Sequence, residues 1–261
     1  MAATVNDLAL DPLTIALLAA LVVVTGAVGS ITGGNSLVNV PAMMLAGMPP
    51  RVAVATNMFA VTFMTASATA KFVRAGVVPF RLTWPLAGIA AVTGVFGARL
   101  AVGLDERLVR IIIAASMIAM VAFMALRKKA ETGAPPGPGR RALGFAASAA
   151  LGVYGGLFSG GYTTLMTALC IAAFGLTALE AVAVTKPVNL ASCAAASVVF
   201  LAGGLVDLRV GVPLAAANLV GGYLGAHVAL TRGERFVRIV FLAAVGGLAV
   251  KLLVDALLPR M

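Results

Sequence analysis

The chain has 261 residues, 61% of them hydrophobic and 11% charged, with a mean hydropathy of +1.07. Soluble domains carry roughly 25% charged residues, so a soluble helical protein is a poor fit to this composition. The net charge of +10 does not point to nucleic acid. The basic residues sit mostly at the ends of apolar segments, where positive-inside bias and anionic lipid headgroups account for them.

Apolar stretches near the twenty residues that a helix needs to cross a bilayer run at 13–31, 52–70, 82–102 and 108–126. They recur at 142–158, 181–202, 210–230 and 236–258. Between the first and second of each set lies a shorter apolar piece, 36–47 and 163–174. Such a piece reaches only about 18 Å at the helical rise, too little for a 30 Å hydrocarbon core, so a half-helix or re-entrant segment is expected. Each short piece directly follows a glycine pair, Gly33-Gly34 or Gly160-Gly161.

The recurrence is a duplication. GVFGARLAVGLDERLVRI at 94–111 returns as GYLGAHVALTRGERFVRI at 222–239, a period of about 128 residues. The correspondence extends upstream, with Gly29, Gly33 and Gly34 answered by Gly156, Gly160 and Gly161, and Gly76, Val78 and Arg81 by Gly204, Val206 and Arg209. The expected organisation is a first repeat at 1–127, a linker at 128–141 and a second repeat at 142–261. An odd number of crossings per copy turns the copies opposite ways. The expected fold is therefore an all-α polytopic membrane protein of two inverted repeats, about five membrane segments each and eight to ten in all.

Lysine and arginine set the expected orientation. Arg127, Lys128, Lys129, Arg140 and Arg141 crowd the linker, around its GAPPGPG core at 133–139, which places it in the cytoplasm. Lys71, Arg74, Arg81, Arg232, Arg235 and Arg238 then lie inside, and both chain ends lie outside the cytoplasmic membrane. Asp7 and Asp11 precede the first segment and no basic residue occurs before Arg51, which also argues against a cleaved leader.

The residue inventory argues against an enzyme and against a metal or other cofactor. His227 is the only histidine, and the first copy has Arg99 in its place, so no two-histidine motif exists. Cys170 and Cys193 fall in apolar segments and read as small core hydrophobes. The nine acids fall at or near segment ends, which speaks against a carboxylate cation site or proton relay at mid-membrane and in favour of an anionic cargo.

Lys186 supports that cargo. It lies about 10 Å into its segment, in VTKPVN at 184–189, where an ammonium is expensive unless it is paired, faces water or snorkels to the interface. Its slipped counterpart is Asn57 in ATNM, and Pro187 frees a nearby carbonyl. The glycine pairs let backbone approach a ligand, and exposed amides at a half-helix N-terminus favour oxyanions. Ser30, Thr32, Asn35 and Ser36 in one copy, and Ser159, Tyr162, Thr163 and Thr164 in the other, add neutral hydrogen-bonding groups. The candidate substrate-binding residues are Gly33, Gly34, Asn35, Asn57, Gly160, Gly161, Tyr162, Lys186 and Asn189. The small residues could instead serve close helix packing, the preferred reading for Gly94, Gly97, Gly222 and Gly225.

Gly-x-x-x-Gly-Gly followed by an apolar run with Pro41, then MPPRVAVATN at 48–57, AGVV at 75–78 and GVFGARL at 94–100, resembles the TauE/SafE family of sulfite and sulfonate exporters. The second copy fits the same pattern from Gly156 to Leu253. The resemblance implies a bacterial-type cytoplasmic-membrane carrier of organosulfur or related anions, built from an inverted duplication. It covers Gly29, Gly33, Gly34, Pro41, Thr56, Gly156, Gly160, Gly161 and Thr185. Where the family pattern has a third glycine this chain has Asn35 and Tyr162, and Ala168 answers to Pro41. The expected cargo is accordingly widened to small organic sulfonates or carboxylates, with a co-transported proton or sodium and homo-oligomerisation left open. A passive anion channel and a membrane scaffold without cargo are the competing expectations.

Overall fold

The computed structural model describes residues 10–126 and 137–232. Nine helices occupy them: α1 (Pro12–Thr32), α2 (Ser36–Leu45), α3 (Pro50–Arg74), α4 (Phe80–Gly103), α5 (Glu106–Leu126), α6 (Pro138–Leu157), α7 (Tyr162–Phe174), α8 (Ala178–Ala202) and α9 (Leu208–Arg232). No strand occurs among the described residues, as expected where every backbone polar group in lipid must be satisfied within its own segment. Five helices, α1, α3, α4, α8 and α9, are long and apolar enough to cross a membrane. The expected segment 236–258, with Glu234, Arg235, Arg238 and Asp255, lies outside the described residues, as do both chain ends and the linker's 127–136 portion.

Local chemistry explains the boundaries. Asp11 caps α1, its carboxylate accepting from the Thr14 amide at 3.3 Å. Thr177 and Glu180 form a reciprocal capping box at the start of α8. Proline stands in the first turn of α1, α3 and α6, where its missing N–H is no loss. For that reason α6 begins at Pro138, inside the stretch expected to be linker, and Arg140 and Arg141 fall in its first turn. Arg51 ties the start of α3 to that of α5 through Glu106, with Nε to Oε1 at 2.8 Å and the Arg51 amide to Oε2 at 3.1 Å.

The packing is symmetric under exchange of the copies. α1 lies on α9 as α6 lies on α4, α9 lies on α3 as α4 lies on α8, and α3 crosses α8 at the centre. Glycines make these seams close. A Cβ on Gly97 would stand 2.0 Å from the Val153 carbonyl oxygen, and one on Gly225 would stand 1.9 Å from that of Ala27. Gly94 meets Ser192 and Gly222 meets Met64, so all four glycines serve the helix approach preferred for them above.

The same contacts set helix direction. Along α9, Gly221 meets Val23 and Gly26 while Gly225 meets Ala27 and Ser30; Gly211 meets Thr56 and Phe59 while Gly222 meets Met64 and Ser67. Thus α1 and α3 both run parallel to α9, and residues 33–49, with α2 within them, carry the chain back between them. In the second copy Gly152 meets Ala90 and Thr93 while Gly97 meets Val153 and Leu157, and α4 runs along α8 from Gly94 at Ser192 to Val102 at Gly203. There α7 makes the return. Large side chains such as Leu13, Leu17, Val92, Phe96, Ile118 and Val220 are exposed around the perimeter, an outer surface suited to lipid. Trp84 is 69% exposed and stacks with Phe80 at the start of α4, as aromatic residues do at membrane interfaces.

Candidate functional site

The two glycine breaks meet. Gly33 ends α1 in the left-handed conformation, φ 85°, with its amide returned to the Gly29 carbonyl. A Cβ there would fall 2.6 Å from the Thr164 amide nitrogen, so the end of α1 rests on the first turn of α7, and the Thr164 hydroxyl donates to the Thr32 carbonyl. The reciprocal contact joins the end of α6 to the start of α2. Ser159 Oγ lies 2.8 Å from Ser36 Oγ, and Gly160 packs against Leu37. Each long helix therefore aims its carbonyl end at the amide end of the other copy's short helix, a favourable alignment of helix dipoles.

The copies reach this junction by different backbones. In the second copy the left-handed residue is Gly161, φ 80°, one step beyond the position answering to Gly33. Gly161 forms the N-cap of α7, whereas Asn35 caps α2 in a right-handed conformation and makes no capping hydrogen bond. A substituent on Gly161 would collide with Met120 of α5 at 2.1 Å.

Asn57 is bound into the junction. Its Nδ2 donates to Ser36 Oγ at 2.9 Å, giving a continuous Asn57–Ser36–Ser159 chain from α3 through α2 to the end of α6. Asn35 Nδ2 reaches the Met64 sulfur at 3.4 Å. On α8, Asn189 Oδ1 accepts from the Cys193 thiol at 3.3 Å, and that sulfur lies 3.6 Å from Met58. The crossing of α3 and α8 thus brings Asn189 close to the residue that follows Asn57, with Lys186 one turn earlier on α8.

Lys186 is fully buried, and its Nζ has no hydrogen-bond partner among the described residues. It does not snorkel to the surface. An ammonium in the middle of a membrane helix costs about 2.5–3.5 kcal/mol on insertion scales, and nothing described here offsets that cost. Tyr162 is also fully buried, and its hydroxyl has no partner among the described residues. Its ring packs on Gly155 and joins Leu86, Ala90, Met166 and Cys170, so no hydrogen bond links it to the Asn57–Ser36–Ser159 chain.

Two cavities lie outside this junction. One of about 310 Å³, between α5, α6 and α7, is lined by Ser116, Met120, Leu151, Tyr154 and Leu165, and Tyr154 donates to the Gly160 carbonyl from its wall. The other, about 320 Å³, is formed by Lys71, Arg74, Tyr223 and His227 where α3 meets α9.

The sequence reading missed three groups. Asp207, expected at a segment end, does precede α9, but it is buried, its amide donating to Thr56 Oγ1 at 3.0 Å. Asn39 and Asn218 are buried polar residues with unpartnered amide atoms. Comparing the copies position by position would have exposed the last two, because the other copy has Met166 and Ala90 there. No group of three or more potential metal-binding His, Cys, Asp or Glu side chains occurs among the described residues.

The family model for the sulfite exporter TauE/SafE matches residues 18–252. A probable membrane transporter protein, ORF9 of Sinorhizobium sp, is 28% identical over 263 residues, covering 97% of each chain. A probable membrane transporter protein of Haemophilus influenzae is 27% identical over 81% of this chain and 83% of its own. The probable membrane transporter protein YfcA of Escherichia coli K12 is 27% identical over 94% and 92%. No solved structure gives a significant match. With its apolar helices and a family match over most of its length, the chain is a multi-pass membrane protein that belongs to the TauE/SafE sulfite exporter family of membrane transporters.

Proposed function

We propose that this protein is a secondary transporter that moves a small organic sulfonate, sulfite or carboxylate across the cytoplasmic membrane by alternating access. The observation that carries the reading is Lys186, a fully buried lysine whose Nζ has no hydrogen-bond partner among the described residues. It stands on the helix that crosses α3 beside the meeting point of two interrupted helices. An anion bound there gains a charge-assisted partner in a low-dielectric setting. Asn57 and Asn189 supply hydrogen bonds, and the glycine pairs at 33–34 and 160–161 let backbone amides approach. Tyr162 is the proposed donor from the α7 side, by rotation of a hydroxyl that has no partner among the described residues.

The parallel sets α1, α3, α9 and α4, α6, α8 are joined within each copy by short connections at 75–79 and 203–207. If those connections reverse the chain, the copies oppose each other and exchange of near-equivalent states supplies alternating access. With the linker in the cytoplasm, the inside-negative potential drives a monovalent anion outward by about 2.3 kcal/mol per 100 mV.

The test is uptake into vesicles reconstituted with the native protein or Lys186→Ala, against a panel of small sulfonates, sulfite and carboxylates. Saturable flux of one anion, accelerated by unlabelled anion inside and lost with Lys186, is the expected result. Flux without counterflow acceleration points to a channel. No binding or flux from folded protein overturns the anion reading and leaves the scaffold.

A further inference from the structure

Two polar contacts lie side by side on α1, one to α2 and one to α9. Thr25 on α1 donates its hydroxyl to Asn39 Oδ1 on α2 at 2.6 Å, with the Val22 carbonyl at 3.4 Å as an alternative acceptor. One residue along α1, Gly26 faces Asn218 of α9. A Cβ on Gly26 would stand 2.9 Å from Asn218 Oδ1, so a side chain there would push that amide aside. Asn218 is fully buried and neither its Oδ1 nor its Nδ2 has a hydrogen-bond partner among the described residues; Asn39 Nδ2 is likewise unpartnered.

Helix packing does not require these polar residues. The counterpart seam, of α6, α7 and α4, has Gly152, Met166 and Ala90 where this one has Thr25, Asn39 and Asn218, and Val153 where this one has Gly26. Ala90 and Met166 belong there to an apolar cluster. The same architecture is thus stable with no amide at all, whereas desolvating an amide without a partner costs about 1–3 kcal/mol. That cost falls on one seam alone, and a ligand held by Asn218 Oδ1 offsets part of it.

We propose that Thr25, Asn39 and Asn218 form a binding site for a sodium ion. The oxygens available are the Thr25 hydroxyl, the two side-chain amide carbonyls and the Val22 carbonyl, all hard neutral donors suited to a hard cation. When the ion binds, the Thr25 hydroxyl turns its proton to the Val22 carbonyl, freeing Asn39 Oδ1 and the Thr25 lone pairs for the ion. No carboxylate occurs on α1, α2 or α9, so a divalent ion would keep two uncompensated charges, while a monovalent ion keeps one. A role for this ion in coupling rests on the transporter reading, but the site itself does not.

The experiment measures thermal unfolding of the full chain in lipid nanodiscs, with sodium chloride exchanged for potassium or choline chloride at constant ionic strength. A ligand that binds only the folded state raises the midpoint saturably. The expected result is a saturable rise with sodium alone, lost in Asn39→Met and Asn218→Ala, which install the other copy's residues. Asn218→Asp, which adds charge without changing shape, is expected to keep or strengthen the response. Lys186→Ala is expected to keep it too, so that loss of anion transport and loss of this site are read separately. A native protein indifferent to sodium, an equal response to potassium or choline, or a sodium response unchanged in both apolar variants would overturn the proposal.

Discussion

The two copies place different residues at matching positions of one scaffold. Around the junction the first copy holds Asn35 and, one residue out of register, Asn57 where the second holds Tyr162 and Lys186; the seam of α1, α2 and α9 holds Thr25, Asn39 and Asn218 where its counterpart of α6, α7 and α4 holds Gly152, Met166 and Ala90. The seam glycines, by contrast, are kept in both copies, because at Gly97 and Gly225 a side chain would enter the facing backbone. What is shared therefore maintains the helix contacts, and what differs assigns charge and polarity. On the reading proposed here, the junction beside Lys186 takes the anion and the seam with the amides takes a cation.

The sharpest way to break this comparison is Lys186→Asn, which gives the second copy the residue of its slipped counterpart, Asn57. Loss of a hydrogen bond to a charged group is worth about 1.5–3 kcal/mol, so anion affinity should fall roughly ten- to hundredfold. Equilibrium binding of the transported anion measures it, and unchanged affinity would show that the asymmetry at this position is not functional.

The shared seams should fail in stability. Gly225→Ala and Gly97→Ala each force a methyl against a backbone oxygen, and overpacking of this kind costs about 1–3 kcal/mol. Gly88→Ala on α4, where nothing lies within 4 Å of the new carbon, should be neutral or stabilising by up to about 1 kcal/mol. Thermal unfolding in nanodiscs compares the three. Equal midpoints would mean that close approach at the seams is not what fixes these glycines.

Ser36→Ala removes the central hydroxyl of the Asn57–Ser36–Ser159 chain. A single hydrogen bond contributes about 0.5–1.5 kcal/mol, and the orphaned Asn57 amide adds to the loss. Stability should drop by about 1–2 kcal/mol. Ser159→Ala, which leaves Asn57 still bonded to Ser36, should cost less, and a reversed order would contradict the chain as drawn.

The smallest effect is expected at the start of α1. The hydrogen bond from Thr14 holds the Asp11 carboxyl below its ordinary value of 3.8. A group whose folded pKa is depressed stabilises fully above its unfolded pKa and loses that contribution as pH falls through the folded one. The cap's contribution should therefore be constant above about pH 4 and fade below it. Asp11→Asn, which keeps an N-cap acceptor, should flatten that acid dependence in a thermal-unfolding series.

The short apolar runs at 36–47 and 163–174 and the glycine pairs before them announce α2, α7 and their turns, because a break in hydrophobic length is visible one residue at a time. Burial of Lys186 was not legible. Its depth in the segment fits both a snorkelling side chain and an enclosed one, and the choice depends on α3 crossing α8. The Thr25–Asn39–Asn218 cluster was hidden for a similar reason, since its members come from three helices and each alone is an ordinary polar residue in an apolar run. The early start of α6 was missed because Gly137-Pro138 reads as linker by composition, while the same proline is suited to a helix's first turn.

By itself, the sequence determined that the chain is all-helical and membrane-spanning, that it is duplicated, and where each helix is interrupted. These properties follow from hydropathy, spacing and turn chemistry, which act locally along the chain. Only the tertiary structure decided that the breaks abut end to end, that α2 and α7 are return segments between parallel helices, and that Lys186 is enclosed. Those outcomes depend on which glycine faces which backbone across helices over a hundred residues apart, and a contact of that range leaves no local pattern to read.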